Sequence, residues 1–89
     1  MRSDDIEKSD FEPSMKILPR IMRIILENES MNRTTLAQAT NLNYARLCKY
    51  VVWLEKKSFI EFSISNGKLI IKLTECGREF ALKLARLPD

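Results

Sequence analysis

The sequence predicts a mainly α fold with one small β-hairpin (α+β): a three-helix core, a two-stranded ribbon and a C-terminal helix. Three observations carry this. Asn66-Gly67 lies between two runs of alternating apolar residues and supplies the two positive-φ positions of a type I′ turn. Two short helical patterns flank Asn41-Leu42-Asn43, the spacing of a helix, a tight turn and a second helix. Ahead of them, Ile17 to Leu26 is the densest apolar run of the chain. At 89 residues the chain is sized for one domain with a single modest core.

The first helix is expected from about Lys16 to Asn28, with Pro19 tolerated in its first turn. Lys16, Arg20, Arg23 and Glu27 form a narrow polar strip, which leaves Ile17, Leu18, Ile21, Met22, Ile24, Ile25 and Leu26 over an unusually wide apolar arc. Such an arc suits a central core helix packed on two sides, or a contact with a second copy of the chain; the small size of the domain tilts the balance towards the second copy. The second helix is expected near Thr35 to Thr40, capped by Thr34, with Leu36 and Ala37 facing inward. Asn43 is placed to cap a third helix near Tyr44 to Lys57. There Leu47, Tyr50, Val51 and Leu54 share one face, and Ala45, Arg46, Lys49, Val52 and Lys56 fall on the other half. Val52 and Trp53 lie off the main core face, where they can pack under the N-terminal segment or mark an interaction surface.

A two-residue loop at Asn66-Gly67 fixes the ribbon register: Ser65 opposite Lys68, Ile64 opposite Leu69, Phe62 opposite Ile71 and Ile60 opposite Leu73. Every pair read as inward is apolar, and Glu61 falls opposite Lys72 on the outward face. Thr74 then caps a last helix near Glu75 to Leu87, which ends at Pro88. Its inward stripe is expected to be Cys76, Phe80, Leu84 and Leu87, with Gly77 allowing close approach to a neighbour. Cys76 and Cys48 read as small buried fillers.

Composition excludes several function classes. A hydrophobic fraction of 45% is too high for a disordered chain, and the apolar run of the first helix is too short and too interrupted to span a bilayer. No signal peptide or anchor is visible, and two cysteines without any histidine make neither a zinc site nor a disulfide framework; both facts suit a reducing cytoplasm. Without histidine or glycine-rich loops, and with acids sparse in the folded part, no catalytic set can be assembled; no cofactor, metal or small-molecule ligand is expected. Charge is polarised. Residues 1–13 carry five acids against two bases, −3 net, which leaves +6 for the remainder of a chain whose total is +3. The chain accordingly divides into an acidic, flexible N-terminal arm over residues 1–13 and a folded domain over 14–89. Between Arg33 and Lys72 there are seven bases and only two acids, Glu55 and Glu61.

A positively charged helix beside a positively charged hairpin suits one DNA major groove and its flanking phosphates. The candidate contacts are Asn43, Tyr44, Arg46, Lys49 and Lys56 on the third helix, Lys68 beside the hairpin tip, and Thr35 and Gln38 on the helix before. Arg46 is the best single candidate, because its fork can bond a guanine edge in two places. The basic residues among them have a plainer reading as solvated charges and Tyr44 one as a core edge, while Tyr50 reads better as core.

These residues resemble a known family. Thr34-Thr35-Leu36-Ala37, Asn41-Leu42-Asn43-Tyr44, Leu54-Glu55-Lys56-Lys57-Ser58-Phe59-Ile60 and Leu73-Thr74-Glu75-Cys76-Gly77-Arg78 look like the winged helix-turn-helix domains of prokaryotic transcriptional regulators, above all small archaeal DNA-binding proteins, over about residues 16 to 87. The resemblance implies double-stranded DNA as ligand, the third helix in the major groove, the hairpin as wing, and a homodimer, here through the first and last helices. Two departures stand out: Ser58 occupies a position where the family commonly has glycine, and the last helix stops at Leu87 without the long dimerising coiled coil of several relatives. The same fold also serves as a protein-interaction module in transcription and assembly complexes, and that reading stays open beside DNA binding.

Overall fold

Residues 11–28 and 31–86 are described by the structure, a computed structural model. Residues 1–10, and with them most of the acidic arm, lie outside that range. Its last part does not: Phe11 packs edge-on against Tyr50 with ring centroids 4.9 Å apart, and the Ser14 amide donates to the Tyr50 hydroxyl at 3.1 Å.

The first helix, α1, spans Leu18–Glu27. It starts later than the sequence suggests because the Ser14 carbonyl accepts from both Ile17 and Leu18 amides, closing a turn, so that Pro19 falls in the first helical turn and costs no bond. Its wide apolar arc is covered within the chain. α1 packs against the second helix, the second strand and the last helix, and Leu18, Ile21, Met22 and Ile25 are all buried, with Met22 at 0% exposure. The central-helix reading therefore holds for these residues, and Met22 is not available to a second copy.

The second helix, α2, spans Arg33–Thr40, starting two residues earlier than expected, and its cap is Asn32 rather than Thr34: the Asn32 side-chain oxygen accepts from the Thr35 amide at 2.8 Å. Asparagine outranks threonine at this position. At the other end Asn41 takes a left-handed conformation (φ 64°), the Asn41 amide donates to Gln38 and the Leu42 amide to Ala37, the paired bonds of a Schellman turn. Arg20 from α1 donates to the Thr40 carbonyl at 2.8 Å, placing a cation at the negative end of α2.

The third helix, α3, spans Tyr44–Lys56 and is capped as expected, the Asn43 side chain accepting from the Arg46 amide at 2.7 Å. It closes with the same turn as α2. Ser58 sits at φ 64°, its amide donates to Glu55 and the Phe59 amide donates to Leu54. Trp53 is drawn into a row of rings, 6.3 Å from Phe59, which in turn stacks on Phe80 at 4.3 Å, while Lys57 covers the open face of the indole.

Strands β1 (Ile60–Ser65) and β2 (Lys68–Leu73) pair antiparallel in the register read from the turn, and Asn66 and Gly67 both have positive φ. Two details differ. The Ile71 amide donates to the Met31 carbonyl at 2.8 Å, so that one residue before α2 pairs with the free edge of β2. The pair Ile64 and Leu69, expected inward, is exposed at 74% and 41%, because the hairpin runs out past the helices; Ile60 and Ile71 at its base are buried, and so is Ile70 on the face expected to be outward.

The last helix, α4, spans Glu75–Arg86. Thr74 caps it, its hydroxyl accepting from the Gly77 amide at 3.0 Å and donating to the Ser58 carbonyl at 2.6 Å. Gly77 lies against the Phe59 carbonyl so closely that a Cβ would overlap it. This contact sets the phase of the helix. Gly77, Ala81 and Leu84 are buried, Phe80 flanks them, and Cys76, expected inside, is exposed; Leu87 lies outside the described residues.

Candidate nucleic-acid interface

α2, the Asn41-Leu42-Asn43 turn and α3 form one unit. Leu36, Ala37, Leu47, Tyr50, Val51 and Leu54 bury the inner faces of the two helices, and this burial decides what the outer faces present. Asn43, Tyr44, Arg46, Lys49 and Lys56 are all exposed, as are Thr35 and Gln38 on α2 and Lys68 beside the hairpin tip. Tyr44, 48% exposed, joins Gln38 along a groove of about 410 Å³ between the two helices, whose remaining walls are Thr34, Ala37, Asn41 and Leu42. Thr35 is not among its walls. Asn43 is only partly free for a ligand, because its side-chain oxygen is committed to the Arg46 amide.

The buried side of α3 also fixes which residues lie opposite it. Ala45, Lys49, Val52 and Lys56, spaced by four, three and four residues, form the centre line of the solvent face, and all four are exposed. Arg46 is exposed too but lies to one flank, one turn before Tyr50 and two before Trp53. The stripe therefore alternates small apolar residues with lysines. α3 carries Arg46, Lys49 and Lys56 against Glu55 alone, with Lys57 just beyond its end. A second concave surface of about 560 Å³ lies between the end of α1, the hairpin and α4, floored by Ile25, Leu26 and Ile70 and edged by Ser63, Lys72 and Arg78. Among the described residues there is no group of three or more potential metal-ligating acids, cysteines or histidines, and no helix long and apolar enough to cross a membrane.

Helix, turn and helix followed by a hairpin is the arrangement named by a family model for winged helix-turn-helix proteins, which matches residues 13–89. The chain belongs to the winged helix-turn-helix family. Solved structures agree in fold. The winged helix is similar to the MarR family transcriptional regulator SPO1453 from Silicibacter pomeroyi DSS-3, with a TM-score of 0.66 and 21% identity over 75% of this chain and 48% of that one. It is similar to a probable transcriptional regulator from Pseudomonas aeruginosa, with a TM-score of 0.68 and 20% identity over 89% of this chain and 61% of that one. It is also similar to Sso10a-2, a DNA-binding protein from Sulfolobus solfataricus, with a TM-score of 0.69 and 23% identity over 83% of this chain and 76% of that one. The chain thus spans about half to three-fifths of the first two neighbours. No curated protein matches the sequence.

Proposed function

We propose that this winged helix binds double-stranded DNA as a transcriptional regulator, with α3 in the major groove, the β1–β2 hairpin as wing, and two copies acting together. The single observation that carries the reading is the exposed basic face of α3, where Arg46, Lys49 and Lys56 stand against one acid. A lysine or arginine that meets a phosphate releases a condensed counterion, so such a face binds duplexes with steep salt dependence. Lys68 extends the same charge to the tip of the hairpin, within the reach of a flanking phosphate in a winged docking geometry. On this reading the protein is a binding rather than a catalytic one and works in the cytoplasm, on the nucleoid.

The test is a titration of labelled duplex DNA at several salt concentrations, with and without random-sequence competitor. Binding whose logarithm falls linearly with the logarithm of salt supports the proposal, and survival under competitor adds sequence preference. A second reading, a winged helix used to bind another protein, is favoured by exposed Val52 on α3 and by exposed Ile64 and Leu69 on the hairpin. It takes over if no duplex is bound at low salt.

A further inference from the structure

We propose that the centre line of α3 recognises thymine methyl groups, through Ala45 and Val52, and that the protein thereby prefers A·T-rich major grooves. The inference rests on the DNA reading above and adds the chemistry of what the helix reads. Val52 is 50% exposed and lies opposite the buried face made by Leu47, Tyr50, Val51 and Leu54. A valine there serves no core, and as a β-branched residue it forms helix less readily than the charged residues that usually fill a solvated face. One exposed valine is unremarked on most surfaces. Here it stands between Lys49 and Lys56, with Ala45 one turn before Lys49, so apolar and cationic residues alternate along the face that would meet the groove. The short Ala45 and Val52 side chains reach only its floor, whereas the long lysines can extend past it to the phosphates of its walls.

The major groove explains such an alternation. Its floor presents hydrogen-bonding atoms on every base and one apolar group, the C5 methyl of thymine. Ala45 and Val52 have no side-chain donor or acceptor, so they cannot pair with a guanine or cytosine edge and would strip water from it without replacement. Against a thymine methyl they bury apolar area instead. Seven residues of helix rise about 10 Å, or about three base-pair steps, so the two residues meet separate base pairs. Lys49 and Lys56 supply the phosphate attraction that an apolar stripe alone lacks, and this complementarity of charge is what points to DNA rather than to an apolar protein partner.

The experiment compares the full chain on a labelled duplex of alternating dA and dT with its twin of alternating dA and dU, which differ only in the C5 methyl. Each buried methyl is worth about fourfold in affinity, so with two of them the wild type should bind the dT duplex about fifteenfold more tightly. Val52→Ser should lower that ratio to about fourfold by weakening the dT complex, and Val52→Ser with Ala45→Ser should bring it near one. Both sites are exposed, and a circular-dichroism melt confirms that the variants fold; the wild-type comparison needs no variant at all. Equal affinity of the wild type for the two duplexes overturns the inference while leaving DNA binding intact. A preference for dT that survives both substitutions overturns the assignment to these residues. Failure to bind either duplex at low salt overturns the DNA reading itself.

Discussion

Ser58 holds a left-handed conformation, φ 64°, that costs a residue with a Cβ about 1–2 kcal/mol. The position cannot relax, because the turn it makes satisfies the last carbonyls of α3 and its own carbonyl accepts from Thr74 at 2.6 Å, tying the end of α3 to the start of α4. Glycine would remove the strain and return part of the gain through the greater freedom of the unfolded chain, about 0.4–1 kcal/mol. Ser58→Gly should therefore stabilise the domain by about 0.5–1 kcal/mol, visible as a rise of several degrees in a thermal melt. A lower melting temperature would mean that the serine hydroxyl contributes more than the backbone costs. Gly77 is the opposite case. A methyl group there meets the Phe59 carbonyl, which is backbone and cannot swing aside, so Gly77→Ala should destabilise by about 3 kcal/mol or more in a urea titration. Gly67 at the hairpin tip has open space around it and needs only its positive φ.

At the scale of elements, α3 and the hairpin should contribute to binding in separable ways. Arg46→Ala should relax sequence preference at a cost of ~1–3 kcal/mol, whereas Lys68→Ala should weaken all duplexes alike and flatten the salt slope by about one. Competition between a selected site and random duplex, repeated across salt, distinguishes the two; a uniform loss for Arg46→Ala would reduce it to a phosphate contact. The turn and register of the hairpin were legible in the sequence, since Asn66-Gly67 permits one short turn and that turn permits one register, but not how far it projects, which leaves Ile64 and Leu69 exposed. The caps at Asn43 and Thr74 were equally local and equally legible. What escaped depends on distant partners. Met31 pairs with Ile71 through a single residue, too short a strand to leave any periodicity. Asn32 and Thr34 both make acceptable caps, and only the docking of the whole helix decides between them. The phase of α4 follows from one glycine lying on the Phe59 carbonyl, and with it the exposure of Cys76. The candidate contacts are all exposed, and the buried face of α3 was legible too, being Leu47, Tyr50, Val51 and Leu54 in the structure as in the sequence. That face moves Arg46 to a flank and Val52 to the centre.

At the scale of the whole molecule, the proposed pairing of two copies needs a surface that the core leaves free. α1 has spent its apolar surface on the core, and Met22→Lys should bury an unpaired charge and unfold the domain rather than release folded monomers. Leu82 differs, being 48% exposed on the outer side of α4, away from Gly77, Ala81 and Leu84. α4 carries Glu75, Arg78 and Glu79 in its first half and Lys83 and Arg86 in its second. Two copies of α4 packed antiparallel about a two-fold axis at Leu82 would set that leucine against its own copy, the self-complementarity that an isologous contact requires. A stable contact of this kind buries about 800 Å² per partner, more than one leucine offers, so flanking residues must join it. Both reading helices would then face one side of the duplex about one turn apart (~34 Å), which predicts a roughly palindromic site. Leu82→Glu should give a folded monomer with an unchanged melt by circular dichroism and much weaker binding to a palindromic duplex, because the second half-site is no longer tethered. Light scattering at micromolar concentration reads the mass directly. A monomeric wild type with full affinity for the palindrome would overturn the dimer and leave a single winged helix as the binding unit.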